Sequence, residues 1–155
     1  MVRHSLAASL ALAAAFMALP AHAQDSSNAD VLAVVDTFFE GLNSADGALM
    51  NSVVADEAVV ASVLEREDRP DLRVGTIEKS IEGLLDGGSY YEEYWEPVVL
   101  VGGPVAVVWA PYLFERDGER THCGVDVFNL MRLEGEWTIT GIQYSVVRDG
   151  CPPGR

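Results

Sequence analysis

The chain has 155 residues, 49% of them hydrophobic, and sets 24 Asp and Glu against ten Lys and Arg, a formal net charge of −14. So acidic a surface excludes nucleic acid and anionic lipid head groups as partners, because phosphate binding needs clustered Lys and Arg. The length is that of one ordinary domain with a real core and leaves no room for a second.

Arg3 and His4 open the chain, an uncharged run follows from Leu6 to Leu19, and Pro20 precedes Ala21-His22-Ala23. A basic start, an apolar middle and a small-x-small site predict a cleavable signal peptide over residues 1–23. The rival reading, a membrane anchor, needs roughly 20 apolar residues, more than this run provides. Gln24 rather than Cys follows the site, which argues against a lipid anchor. The expected mature domain is 24–155, exported to the periplasm or secreted, with no membrane association after cleavage. It keeps nine Lys and Arg against 24 acids, a net charge of −15. Lys79 is the only lysine, and such arginine bias points to a bacterial, GC-rich genome.

From Asp30 to Leu42 apolar residues recur at three- and four-residue intervals (Val31, Leu32, Val35, Phe38, Phe39, Leu42), predicting an amphipathic helix. Asn28 or Asp30 can cap it, and the stretch Asn43 to Gly47 ends it. A short second helix is expected over Ala48 to Val54, a strand over Ala58 to Leu64, and a charged loop with Pro70 over Glu65 to Arg73. Ile77, Ile81, Leu84 and Leu85 describe a third helix closed by Gly87-Gly88. Strands then follow over Tyr90 to Val101, Pro104 to Arg116, Thr121 to Leu133 and Glu136 to Val147. Gly102-Gly103, Asp117-Gly118 and Glu134-Gly135 supply the hairpin turns between them. The expected fold class is α+β: three helices packed on one face of a mainly antiparallel sheet.

Cys123 and Cys151 are the only cysteines. In an exporting context an even count favours a disulfide. The alternative is a reactive Cys123 beside His122, but adjacent strand residues point to opposite faces, which argues against a Cys-His pair.

The element order, the lengths of the last strands, and Gly135-Glu136-Trp137-Thr138-Ile139 with Ser145 beyond resemble the nuclear-transport-factor-2-like, or SnoaL-like, superfamily. The likeness spans about 29–148 and is nearest to small exported bacterial members carrying Trp-Ala-Pro-Tyr and His-Cys-Gly, here Trp109 to Tyr112 and His122 to Gly124. It implies a cone of three helices over a curved sheet with an apolar pocket. Members range from ketosteroid isomerase, scytalone dehydratase and limonene epoxide hydrolase to pure binding modules. No member's catalytic set matches here residue for residue, so the resemblance leaves the chemistry open.

Two-residue turns would pair Val101 with Pro104, Arg116 with Glu119 and Leu133 with Glu136. Counting back puts Glu96, Trp109, Asp126 and Gln143 on one rung of one face. Phe128 and other apolar residues lie toward one end of that face. Tyr94, then Glu92 and His122, lie toward the other. An apolar floor with a few convergent polar groups is what a small-molecule pocket needs. The expected ligand-binding residues are therefore Trp109, Asp126, Gln143, Glu96, Tyr94 and Phe128. Asp126, desolvated, is the candidate general acid/base, with Glu96 or His122 assisting. The competing reading puts this face in solvent and the core on the other, with Val108, Tyr112, Phe114, Val125, Val127, Ile142 and Tyr144; a one-residue slip exchanges the two. The Glu92-Glu93-Glu96 cluster then reads as a solvated strand face.

No metal set, phosphate loop or nucleophile elbow is present, so no cofactor and no metal are expected. Three functions compete. The first is an exported protein binding an apolar or aromatic small molecule. The second is a cofactor-free lyase, isomerase or hydrolase, and the third an interaction module forming a homodimer through an exposed sheet face.

Overall fold

The structure is a computed structural model that describes residues 21–66 and 69–152. Apart from Ala21 to Ala23, the expected signal peptide lies outside the described residues. Helices α1 (Ala21–Ser44) and α2 (Gly47–Asn51) come first, then strands β1 (Val54–Leu64) and β2 (Asp71–Thr76) and helix α3 (Ile77–Leu85). Strands β3 (Tyr90–Tyr94), β4 (Val98–Gly102), β5 (Val105–Arg116), β6 (Glu119–Leu133) and β7 (Glu136–Val146) complete the chain. Asp46 caps α2 by accepting from the Leu49 N–H at 3.0 Å, and the Thr76 hydroxyl caps α3.

The strands form one sheet in the order β2-β1-β7-β6-β5-β3, with β4 also paired to β5. Every pairing is antiparallel except β1 with β7. The helices cover one face of this curved, unclosed sheet, so the expected α+β cone architecture is the observed one. Of the periodic residues of α1, Val31, Val35, Phe38, Phe39 and Leu42 are buried, and Leu32 is half-buried against them. They meet Met50 of α2, Ile77 and Ile81 of α3, and Val108, Phe128, Leu130 and Ile139 of the sheet in one core.

Several element boundaries differ from expectation: α1 begins at Ala21, so Asn28 and Asp30 lie inside the helix and do not cap it, and β6 begins at Glu119, ahead of Thr121. The strand expected over 90–101 is two strands, because Glu96 takes a φ of 47° and Pro97 has no N–H, which interrupts the ladder to β5. The expected charged loop ends at Pro70, and β2 begins within its last residues. Leu72 and Val74 of β2 are each 67% exposed, so this edge strand has no buried alternation for a pattern to reveal. Val54, expected in the second helix, opens β1 opposite Ile139.

The Asp117-Gly118 and Glu134-Gly135 turns hold both residues at positive φ and pair Arg116 with Glu119 and Leu133 with Glu136, as expected. The earlier turn is shifted, pairing Gly102 with Val105. Within the strands the register then slips twice. Glu115 pairs with Arg120 but Phe114 with His122, which leaves Thr121 as an extra residue. Leu130 pairs with Ile139 but Asn129 with Gly141, which leaves Thr140 extra. In both bulges the threonine hydroxyl donates to the carbonyl across the slip, Thr121 to Phe114 at 3.4 Å and Thr140 to Asn129 at 3.2 Å. Each bulge reverses which face the following residues occupy. Asp126 therefore lies opposite Ala110 and Tyr144, on the helix side, instead of opposite Trp109 and Gln143.

Cys123 and Cys151 form a disulfide with Cα atoms 5.7 Å apart. Beside it the backbone of Cys123 exchanges two hydrogen bonds with Val147, at 2.9 and 2.8 Å. The segment after β7 is thereby fastened to β6.

Candidate functional site

Between α1, α3 and the helix-facing side of the sheet lies a cavity of about 320 Å³. Phe38, Phe39 and Leu42 of α1 and Ile77, Ile81 and Leu84 of α3 form one wall; Phe114, Phe128 and Ile142 form the other. Glu92 (β3), Tyr112 (β5), His122 and Asp126 (β6) and Tyr144 (β7) place polar groups among them. No Lys or Arg is among the described residues lining the cavity. An apolar cavity of this size with a few convergent polar groups is the usual form of a small-molecule site.

The Thr121 and Thr140 bulges aim Asp126 inward, and the strand alternation does the same for Glu92, whose face it shares with Tyr90 and Tyr94. Asn43, in the last turn of α1, clamps the Glu92 backbone. Its Nδ2 donates to the Glu92 carbonyl at 2.9 Å, and its Oδ1 accepts from the Glu92 N–H at 2.7 Å. Asp126 is 3% exposed and is the one charged side chain buried among the described residues. Its Oδ2 has no hydrogen-bond partner there.

Burial pushes the Glu92 carboxyl well above the usual carboxylate range, and the charge of Asp126 and a hydrogen bond to it push further. Burial also raises Asp126, although the hydrogen bond from Glu92 opposes the rise. Both carboxyls are thus shifted toward their protonated forms, and the two acids titrate as one unit. The Tyr112 hydroxyl donates to the Ser145 carbonyl at 2.8 Å. Burial, then the charges of Glu92 and Asp126, hold that phenol neutral. Gly124 lets β6 and β7 approach closely here, since a Cβ on it would stand 2.1 Å from the Ser145 carbonyl oxygen. His122 stacks on Phe114 with ring centroids 4.8 Å apart, and its Nδ1 lies 2.8 Å from the Thr121 hydroxyl. Burial and then Arg148 lower its pKa, which favours a neutral ring.

Of the residues expected to form a site, the structure brings Asp126, His122 and Phe128 together. Tyr94 stands beside them, packed on Phe39 at 5.0 Å with its hydroxyl donating to Asp36, and does not line the cavity. Trp109 and Gln143 are on the far face of the sheet, where Gln143 accepts from Asn129 at 2.7 Å. Glu96 is exposed in the β3–β4 connection. The expected rung of Glu96, Trp109, Asp126 and Gln143 does not form, for the parity reason given above. Glu92, Tyr112, Phe114 and Tyr144 line the cavity instead. The available signal for Glu92 was a carboxylate alternating with two aromatic residues on one strand face.

Helices closed over a curved sheet, with a cavity between them, define an α+β cone with an internal ligand-sized site. This is the fold of the nuclear-transport-factor-2-like (NTF2-like) superfamily. The chain is similar to an NTF2-like protein of unknown function from Shewanella baltica (19% identity, 83% of this chain and 98% of that one, TM-score 0.62). It is also similar to a candidate dehydratase of the NTF2-like family from Streptomyces avermitilis (18% identity, 80% and 98% covered, TM-score 0.63). A third similar structure is the association domain of C. elegans CaMKII (18% identity, 79% and 98% covered, TM-score 0.61). No family model and no curated protein matches the sequence. Identities this low carry the fold and leave the chemistry to the site.

Proposed function

We propose that the protein binds a small, largely apolar organic molecule in the cavity and orients it through Glu92 and Asp126. The observation that carries this reading is the buried Asp126 Oδ2, an acceptor without a partner in an otherwise apolar cavity of about 320 Å³. Such an oxygen is costly unless something meets it. Native mass spectrometry of protein purified from its own compartment tests the reading. A retained small molecule that is lost from Asp126→Asn is expected; a ligand-free spectrum, with no melting shift across a panel of small aromatic compounds, would overturn it.

A second reading, turnover by proton transfer, is favoured by the acid pair itself. A protonated Glu92 beside Asp126 offers a donor and an acceptor at one place, which general acid/base chemistry on a bound substrate requires. The candidate dehydratase of the same fold is compatible with it. Ligand that is retained but never converted would leave binding alone.

We also propose export and self-association. The Cys123–Cys151 disulfide supports an oxidising compartment. No helix among the described residues is long and apolar enough to cross a membrane. Cleavage after Ala23 would trim only the first turn of α1, leaving Val31 and the core residues beyond it in place. N-terminal sequencing of the secreted or periplasmic protein is expected to begin at Gln24. The outer sheet face exposes Val98, Leu100, Val105, Trp109 and Met131 and supports pairing with a second copy.

A further inference from the structure

We infer that the cavity takes an organic cation: an amine or quaternary ammonium whose apolar body lies among Phe38, Phe39, Phe114 and Phe128, and whose charge meets Glu92 and Asp126. The inference rests on the reading of the cavity as a ligand site and names the class of ligand.

Two carboxyl groups share a protein-lined space with no Lys or Arg in its described lining. A buried carboxylate is ordinarily paired, and here every candidate partner is absent or uncharged. The groups that face Asp126 are Glu92 from β3, Tyr112 from β5, Tyr144 from β7 and His122 from β6, with Arg148 beyond His122. The helices add apolar side chains and the Ser80 hydroxyl. Tyr112 has already committed its proton to Ser145. An anionic ligand would find no cation in the described lining and would be repelled by any charge on the acid pair. A neutral one could accept a proton held by the pair but would leave any charge on it unmatched. A cation satisfies the orphaned Oδ2, and aromatic side chains line the same space. The net charge of −14 raises the local concentration of cations over anions.

The consequence is proton linkage. A permanently charged ligand cannot donate a proton, so it binds best when the acid pair has lost its own to solvent. Its affinity rises with pH, and binding releases protons to the buffer.

The test uses the purified mature chain and three probes of one shape: benzyltrimethylammonium, benzyl alcohol and benzoate, followed by titration calorimetry. The expected result is that the ammonium binds roughly tenfold or more tightly than the alcohol, and that benzoate does not bind. Glu92→Gln or Asp126→Asn should weaken the ammonium roughly tenfold, and more than either weakens the alcohol. In the unaltered protein, ammonium affinity should climb between about pH 5 and pH 8, with a binding heat that depends on the buffer's ionisation enthalpy. That arm needs no variant to fold. If the alcohol binds as tightly as the ammonium, the cation inference falls and the ligand-site reading stands. If none of the three probes binds, both fall.

Discussion

Asn43 holds Glu92 from both sides, donating to its carbonyl at 2.9 Å and accepting from its N–H at 2.7 Å. An amide at the end of α1 thus completes the ladder for a residue on the edge strand β3, and fixes the height at which the Glu92 carboxyl enters the cavity. Because both Asn43 groups are used, Asn43→Ala removes two hydrogen bonds at an exposed position where water can take their place, and should cost about 1 kcal/mol. Asn43→Asp can accept but not donate, and should fall between the two. Urea denaturation measures the stability, and titration with the cationic probe should show a loss that Asn43→Asp partly restores. Unchanged probe affinity in Asn43→Ala would mean that the clamp is structural only.

The acid pair makes stability depend on pH with a definite sign. Folding raises Asp126 from near 4, its ordinary value, to about 7. The native chain therefore holds a proton that the unfolded chain has released. This contribution is full below about pH 4 and is lost as pH rises through about 7; Glu92 acts in the same direction. His122 has the opposite sign, since its lowered pKa withdraws stability as pH falls below about 6.5. Thermal melts between about pH 4.5 and 8.5 should show wild type losing stability relative to Asp126→Asn as pH rises. Parallel curves for the two proteins would contradict the burial argument.

Gly124→Ala tests the close approach of β6 and β7. The added methyl would meet the Ser145 carbonyl oxygen at 2.1 Å, and backbone cannot yield as a flexible side chain can. The same carbonyl receives the Tyr112 hydroxyl, so the strain reaches the cavity wall. A loss of about 1–3 kcal/mol is expected in chemical denaturation. Gly118→Ala, with nothing within 4 Å of its Cβ, is a control whose cost comes only from a φ of 79°.

The disulfide closes a separation of 28 residues, and its removal in a Cys123→Ser, Cys151→Ser pair should cost about 3–4 kcal/mol in the chain-entropy model. Because Cys123 adjoins His122 and fastens the segment after β7, probe affinity should fall along with the melting temperature. Reduction of the wild-type protein should reproduce both changes.

The helices and hairpins were legible because each is a local pattern: a 3.6-residue period in α1, and Asp117-Gly118 and Glu134-Gly135 where two strands meet. The site was only half legible. Asp126, His122 and Phe128 carry apt chemistry and line the cavity, yet a straight count groups Asp126 with Trp109 and Gln143, which lie on the far face. Two threonines decide the face, and a threonine within a strand looks like any other β-branched residue until its hydroxyl bonds across a bulge. Glu92 was hidden differently. Glu93 and Glu96 nearby gave it the look of a solvated run, whereas its alternation with Tyr90 and Tyr94 was the stronger clue.

The far face of the sheet provides the last prediction. Val98 sits opposite Trp109, and Trp109 opposite Val127; Leu100 sits opposite Val107, and Val105 opposite Met131. Leu100 is 66% exposed and Trp109 42%, so neighbouring rungs present a continuous apolar surface. In a two-fold dimer each residue on the axis meets its own copy, so a new carboxylate there would face a like charge across a dry interface. Leu100→Glu should therefore convert a two-chain particle into a single chain in sedimentation equilibrium, at concentrations where wild type is paired. The cavity lies on the opposite side of the sheet, so probe affinity should change by less than about twofold, as for sites with no shared contacts. A wild-type protein that sediments as one chain at every concentration would dismiss the dimer while leaving the cavity reading untouched.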